Sequence, residues 1–398
     1  MSEIEKLIER LCPEGVEYKP LWQLTAWDKK FNGVEKSMQK KIIKYPYVLA
    51  KVFDELEVER GDVKLLSTGI SDKERWTTEA IAGDLVCEGE IVAIPWGGTP
   101  NVKYYKGKFV TADNRIATSL DTSVLNNKFL FYYLNNIIED IAALYRGAGI
   151  QHPSMKGVLS LEIPVPPIEV QSKIVELLDN FTELEAELEA ELEARKKQYV
   201  YYRNQLLTFD KDKGARFDVK WMKLGEIFSM KAGKHISAKN ISEIKSSEYP
   251  YPCYGGNGIR GYVKAKSETG EYPIIGRQGA LCGNIQITNG DFYATEHAVV
   301  VKPLIEVDMH WAYHKLTHMN INQYKTKSAQ PGLAVSRIEA IEIPIPPLEE
   351  QQRIVSILDR FEALTTDLQS GLPAEIAARR KQYEYYREQL LTFKRKSA

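Results

Sequence analysis

Three histidines, His310, His314 and His318 in HWAYHKLTH, recur at steps of four, which places them on one face of a helix. Pairs of metal-binding histidines use that spacing. The chain is internally duplicated, however, and the corresponding stretch of its first half, NNKFLFYYLNN, carries no histidine. The triplet therefore reads as a polar helix face. A second candidate is GNGIRG, Gly256 to Gly261, which has the GxGxxG spacing of a dinucleotide fingerprint. That chemistry needs a strand before the glycines and a helix N-terminus after them to receive a pyrophosphate. Here YPYPCY precedes and YVKAKS follows, so the glycines read as turns.

Two proline boxes are the third candidate, EIPVPPIEVQ from Glu162 and EIPIPPLEEQ from Glu342, 180 residues apart. A Pro-Pro step can form a loop that grips a nucleobase, but such a loop needs a polar residue before it and an aromatic after it. Val165 and Ile168 in one box, and Ile345 and Leu348 in the other, supply neither. There is no GxxxxGK[ST], HExxH or GxSxG either, so no catalytic constellation, cofactor site or metal site is expected in this chain.

Stepping from residues to elements, the duplication extends well beyond the boxes. RKKQYVYYRNQLLTF, Arg195 to Phe209, matches RRKQYEYYREQLLTF, Arg379 to Phe393, at 12 of 15 positions. VEYKPLWQL at Val16 answers VKWMKLGEI at Val219, and Phe109 and Asp113 answer Phe292 and Glu296. The X-Pro steps force an extended approach, so a helix is expected to begin directly after each box. Ile174, Leu177, Phe181, Leu184, Leu188 and Leu192, then Tyr199, Tyr202, Leu206 and Phe209, keep mostly to steps of three and four. That is a coiled-coil seam, and its obvious partner is the second copy, with Ile354, Ile357, Phe361, Leu364 and Leu368. SGLPAE, Ser370 to Glu375, should break the second helix and restart it with Pro373 in the first turn. TELEAELEAELEA, Thr182 to Ala194, repeats every four residues, and each repeat adds about 6 Å of helix, like a step on a ruler.

The variable segments read as mixed helix and strand. Alternation around Asn289-Gly290 predicts a hairpin over Asn284 to Ala294, with Lys106-Gly107 at the equivalent place, followed each time by a short strand and an aromatic helix. The length allows two or three domains, and 43% hydrophobic with 27% charged residues is ordinary for a soluble protein. No apolar run is long enough to span a membrane, the N-terminus lacks a signal-peptide core, and Cys12, Cys87, Cys253 and Cys282 show no CxxC or disulfide spacing. A cytoplasmic location is expected. The net charge of −1 hides segregation: residues 161 to 209 hold 5 basic and 10 acidic side chains, and residues 210 to 340 hold 18 basic and 13 acidic.

Taken together, the twin boxes with their exits at Gln171 and Gln351, the KQYxYYR tails, the tetrapeptide repeat, and YGGNGIRGYV with IIGRQGALCGN resemble the DNA-specificity subunit of type I restriction-modification enzymes. The resemblance covers nearly the whole chain. It implies an α+β architecture: target-recognition domains over residues 1–160 and 210–340, and antiparallel coiled-coil spacer helices over 161–209 and 341–398, related by a pseudo-twofold repeat. It also implies a non-catalytic reader of a split, asymmetric site in double-stranded DNA. Two methyltransferase subunits and up to two motor-nuclease subunits would join it, with S-adenosylmethionine, ATP and Mg on those partners.

Base reading needs bidentate side chains, and phosphate positioning needs Lys and Arg. The candidates in the second variable segment are Asn257, Arg260, Lys264, Arg277 and Gln278, with Lys325 and Lys327 on phosphates. In the first they are Lys103, Tyr104, Lys106, Arg115, Arg146 and Gln151. Tyr199, Tyr202, Arg203 and Leu206, with Tyr383, Tyr386, Arg387 and Leu390, are expected at the helix seam or at methyltransferase docking. The near-neutral charge predicts weak, salt-sensitive DNA binding by the chain alone. The rival readings are a self-contained nucleic-acid enzyme, which would need a cofactor motif, and a coiled-coil scaffold carrying two domains that do not bind DNA.

Overall fold

The computed structural model describes residues 3–70, 74–210, 218–279, 281–326 and 331–396. It divides into two compact units, Met1–Glu187 with Ala377–Ala398, and Leu188–Ile376. Each unit therefore holds one variable segment, the first part of the helix that follows it, and the tail of the other copy's helix.

The proline boxes act as the sequence leads one to expect. Helices begin directly after Pro167 and Pro347, as the central helix Ile168–Leu207 and the box helix Leu348–Thr366. At 40 residues the central helix spans about 60 Å. The C-terminal helix restarts at Leu372–Leu391 with Pro373 in its first turn, where the missing N–H costs nothing. In the break between them Gly371 is needed for space, since a Cβ there would lie 2.6 Å from the Ala363 carbonyl oxygen. Just before each helix the box itself is a short strand. Glu162–Pro164 pairs antiparallel with Tyr18–Pro20, and Glu342–Ile345 with Lys220–Lys223. The faint likeness near Val16 and Val219 thus marks the strands that partner the boxes. Two-stranded pairs have free edges, which lets them accommodate proline.

Gln171 and Gln351, the box exits, are buried. The Gln171 amide donates to the carbonyls of Pro166 and Val124, both at 2.8 Å, and its oxygen accepts from Asn126 N at 2.8 Å. Gln351 donates to Pro346 O and accepts from Asp308 N, both at 2.9 Å. Asn126 and Asp308 are the N-caps of the aromatic helices Asn127–Asn136 and Met309–His318. Each glutamine therefore ties a box to the start of the aromatic helix in its own unit. Phe129 and Leu130 with Ile174 and Leu178 form the core there, and Trp311 and Leu316 with Ile354 and Leu358 do so in the other unit.

Both variable segments share a sheet plan. In the first unit six strands run in the order Thr25–Trp27, Asn114–Ser119, Cys87–Pro95, Lys103–Thr111, Val63–Leu66, Trp76–Thr77. In the second, Phe228–Ala232, Ala298–Pro303, Pro273–Gly276 and Ile285–Ile287 repeat the first four places, and Asp291–Ala294, Tyr251–Gly255 and Gly258–Val263 continue in a separate sheet. A parallel strand pairing recurs in both plans too, Lys64↔Phe109 in one unit and Cys253↔Tyr293 in the other.

This corrects the hairpin expectation. Ile285–Ile287 and Asp291–Ala294 do not pair with one another but enter different sheets, the first against Pro273–Gly276 and the second against Tyr251–Gly255. Lys106-Gly107 lies inside the long strand Lys103–Thr111, with Gly107 at a φ of 138°. Pairing with Cys87–Pro95 runs unbroken through Gly107, and Val63–Leu66 joins the other edge from Phe109 onward. In the second unit Gly290, at a φ of 73°, lies between two separate strands. The short strand and aromatic helix that follow are present in both units. GNGIRG joins two antiparallel strands, with no helix after it.

Candidate nucleic-acid interface

The common sheet plan brings the same loops together twice. Pro95 pairs with Asn114, and the chain then turns so that Trp96 N donates to Asp113 O at 3.0 Å and Gly98 N to Gln151 O at 3.1 Å. In the second unit Gly276 pairs with Ala298, after which Arg277 N donates to His297 O at 2.9 Å and Gly279 N to Pro331 O at 3.1 Å. Trp96-Gly97-Gly98 and Arg277-Gln278-Gly279 therefore hold equivalent places on one backbone cradle. The framework is repeated and its side chains are exchanged, an arrangement suited to reading two different ligands with one scaffold.

In the first cradle Arg115 is only 4% exposed. Its guanidinium lies 4.0 Å over the Trp96 ring and donates to Asp113 Oδ1 at 2.8 Å. Arg115, a DNA-binding candidate from the sequence, therefore lies beneath the Trp96 ring and not at the surface. His152 completes the stack, 5.1 Å from Trp96 ring to ring, with Nδ1 2.7 Å from Trp96 O. Gly97 keeps this approach close: a Cβ there would lie 2.9 Å from the Ile150 side chain and 3.0 Å from His152, which would have to shift. Ile150 is 70% exposed at the tip, with Arg146 and Gln151 exposed in the same hairpin. Lys103 is buried and donates to Ser67 Oγ at 3.3 Å. Tyr104 and Lys106 face another way. Burial and a hydrogen bond to Glu90 push the Tyr104 phenol well above its usual range, its ring packs 5.9 Å from Phe131, and exposed Lys106 lies 3.6 Å from Glu90.

The second cradle is more open. A concavity of about 620 Å³ is lined by Asn257, Arg260, Gln278, His297, Leu281 and Pro331 among others. Three of these, Asn257, Arg260 and Gln278, are base-reading candidates from the sequence, brought together from the glycine turn and the loop after Pro273–Gly276. Arg277 is half-buried, and its carbonyl accepts from Leu333 N at 2.9 Å. Lys264 is drawn into an ion pair with Glu248 that raises its pKa. Lys325 is half-buried, and Lys327 lies outside the described residues. Sequence reading passed over Trp96, Ile150, His152, Leu281 and His297. Aligning IPWGG with IIGRQG across the repeat would have exposed Trp96; Ile150, His152 and His297 come from segments distant in sequence that meet only in the fold.

On the helices, the two units make one contact twice. Phe181 stacks on Tyr386 at 5.4 Å and 26°, and Phe361 on Tyr202 at 5.5 Å and 26°. Arg387 lies over Tyr383, and Arg203 over Tyr199. In the first unit the order of contacts, Phe181 with Tyr386 and then Glu185 with Arg380, makes the helices antiparallel. Tyr199, Tyr383, Leu206 and Leu390 pack into the cores, whereas Tyr202 and Tyr386 stay 42% and 40% exposed. Beside them, Tyr201 and Tyr385 are each 59% exposed.

Comparison with known proteins agrees with this geometry. The chain matches the type I restriction modification DNA specificity domain twice, over residues 29–194 and 218–378. It is 50% identical over 252 residues to the type I restriction enzyme EcoprrI specificity subunit of Escherichia coli, an alignment covering 61% of this chain and 62% of that one. It is 31% identical over 341 residues to a putative type I restriction enzyme specificity subunit of Haemophilus influenzae, covering 77% and 83%. Its fold is shared with the type I restriction-modification S subunit of M. genitalium, at a TM-score of 0.66 and 18% identity over 95% of this chain and 96% of that one. With both repeats matched and the same plan built twice, the chain belongs to the type I restriction-modification DNA specificity family.

Proposed function

We propose that this chain is the non-catalytic reader of a type I restriction-modification complex, each cradle reading one half of a split, asymmetric site in double-stranded DNA. One observation carries this reading: an identical backbone cradle in both units bears different side chains, Trp96 and Gly97 in one against Arg277 and Gln278 in the other. Two half-sites of different sequence need that arrangement. The recognition domains are residues 1–160 and 210–340, and the spacers are 161–209 and 341–398. The continuous central helix supports a fixed gap between half-sites, set by its length.

The tails support docking of two copies of one methyltransferase subunit, and through them of motor-nuclease subunits. Tyr201-Tyr202 and Tyr385-Tyr386 present matching exposed dyads, each with ring centres 5.4 Å apart. Tyr202 and Tyr386 stack on Phe361 and Phe181, but packing does not require identity at Tyr201 and Tyr385, each 59% exposed, so a common partner is its simplest cause. S-adenosylmethionine, ATP and Mg belong on those partners. Among the described residues no helix is long and apolar enough to cross a membrane, and the complex acts where DNA is, in the cytoplasm.

The test alters one cradle in the assembled methyltransferase complex. With Arg260→Ala and Gln278→Ala, methylation should relax at one half-site only, by about 1–3 kcal/mol of discrimination per lost base contact. Equal loss at both half-sites, or no change at either, contradicts the assignment.

A further inference from the structure

The histidine face of Met309–His318 is not a solvated surface. His314 is fully buried, and its Nε2 lies 2.6 Å from Asp359 Oδ1 on the box helix. His310 Nδ1 lies 3.2 Å from the other oxygen of Asp359. Glu362, one turn further along, accepts from Tyr313 at 2.6 Å. Donor atoms of His314, Asp359 and Glu362 all fall within 4.8 Å of one another.

The first unit shows what this place normally holds. With the N-caps Asn126 and Asp308 aligned, Lys128 answers His310 and Tyr132 answers His314. With the boxes aligned, Asp179 answers Asp359 and Thr182 answers Glu362. Lys128 Nζ donates to Asp179 Oδ2 at 2.8 Å, and Tyr132 donates to Asp179 Oδ1 at 2.5 Å. One carboxylate is thus met by one permanent cation from within the chain. In the second unit a second carboxylate has been added, and the ammonium has been replaced by imidazole, a metal ligand when neutral.

We propose that His314, Asp359 and Glu362 bind a divalent transition-metal ion of the Zn²⁺ class, with His310 beside the open position, in the place where the first unit supplies Lys128. Tetrahedral zinc with bonds of about 2.1 Å holds its donors about 3.4 Å apart. The 2.6 Å contact and the 4.8 Å limit bracket that separation, so small side-chain rotations suffice. Glu362 accepts from Tyr313, and His314 Nδ1, which carries the proton when Nε2 is the ligand, donates to the Tyr199 hydroxyl at 3.5 Å, so both ligands are oriented from outside. The ion would clamp the aromatic helix to the box helix in the second unit alone.

The inference is independent of DNA reading and is tested on the full-length chain, stripped with a chelator and titrated with Zn²⁺ against a chromophoric competitor. The expected result is one tightly held ion per chain, a higher melting temperature with Zn²⁺, and no comparable effect of Mg²⁺. His314→Gln should weaken binding about tenfold or more. Glu362→Gln, which keeps the Tyr313 hydrogen bond, should do the same without unfolding the unit. Failure to bind Zn²⁺, equal binding of Mg²⁺, or Zn²⁺ binding unchanged in a folded Glu362→Gln chain would each overturn the proposal.

Discussion

Gln171 and Gln351 each satisfy buried backbone groups on two separate segments. Replacing either by leucine keeps the volume but strands an N–H at Asn126 or Asp308 and a proline carbonyl. Each orphaned group costs about 1–3 kcal/mol, so Gln171→Leu should lower stability by about 2–5 kcal/mol in denaturant titrations, and Gln351→Leu by a similar amount. A loss under 1 kcal/mol would show that water takes over these bonds. His318 gives a pH signature. Burial, then the charges of Lys315 and Arg203, hold its pKa down near 4, and Thr208 Oγ1 lies 3.3 Å away. The unfolded chain therefore binds the proton first, and stability present above about pH 6.5 is lost as pH falls toward 4. His310 on the same helix shifts the other way: burial opposes its charge, yet Glu271 and Asp359 carry its pKa upward. His318→Gln should flatten the slope between pH 4 and 6.5; an unchanged slope would assign it to other groups. The glutamines were legible as motif letters, but their partners at Asn126 and Asp308, 45 and 43 residues away in sequence, were not.

The helices were the most legible elements, because proline fixes where they start and the step of three and four fixes which face is buried. The sheets were less so. A Gly inside a strand and a Gly in a two-residue turn look alike in sequence, and only the neighbours in the sheet tell Gly107 and Gly290 from a hairpin turn. The cradles were half-legible for a similar reason. Glycine-rich loops pointed to Asn257, Arg260 and Gln278, whereas the burial of the DNA-binding candidate Arg115 under Trp96 depends on a packing partner that the sequence does not reveal. Two predictions belong to the helices. Deleting one Leu-Glu-Ala-Glu unit from Thr182 to Ala194 shortens the central helix by about 6 Å. The methylated motif should then keep both half-sites and change its gap by about a base pair or two; altered half-sites would sink the ruler. Tyr385→Ala should cost the complex one of two methyltransferase copies, read as mass by light scattering, and Tyr201→Ala the other. Retention of both copies in the double variant would place docking elsewhere.

At the scale of the whole molecule, a duplicated framework carries a net charge of only −1. Nonspecific DNA affinity scales with the cations set against phosphates. A chain so nearly neutral, with Lys264 paired to Glu248 and Arg115 buried, should bind DNA weakly alone and lose affinity steeply with salt. Nanomolar binding by the isolated chain at physiological salt would show that partners are not needed for phosphate contact. The most direct test of the central claim is long-read mapping of N6-methyladenine in a methylation-free host carrying the cognate methyltransferase, with and without this chain. The account predicts a single split motif that appears only with the chain. A soluble complex that leaves no motif, or a motif that persists without the chain, would contradict it and leave a scaffold in place of a reader.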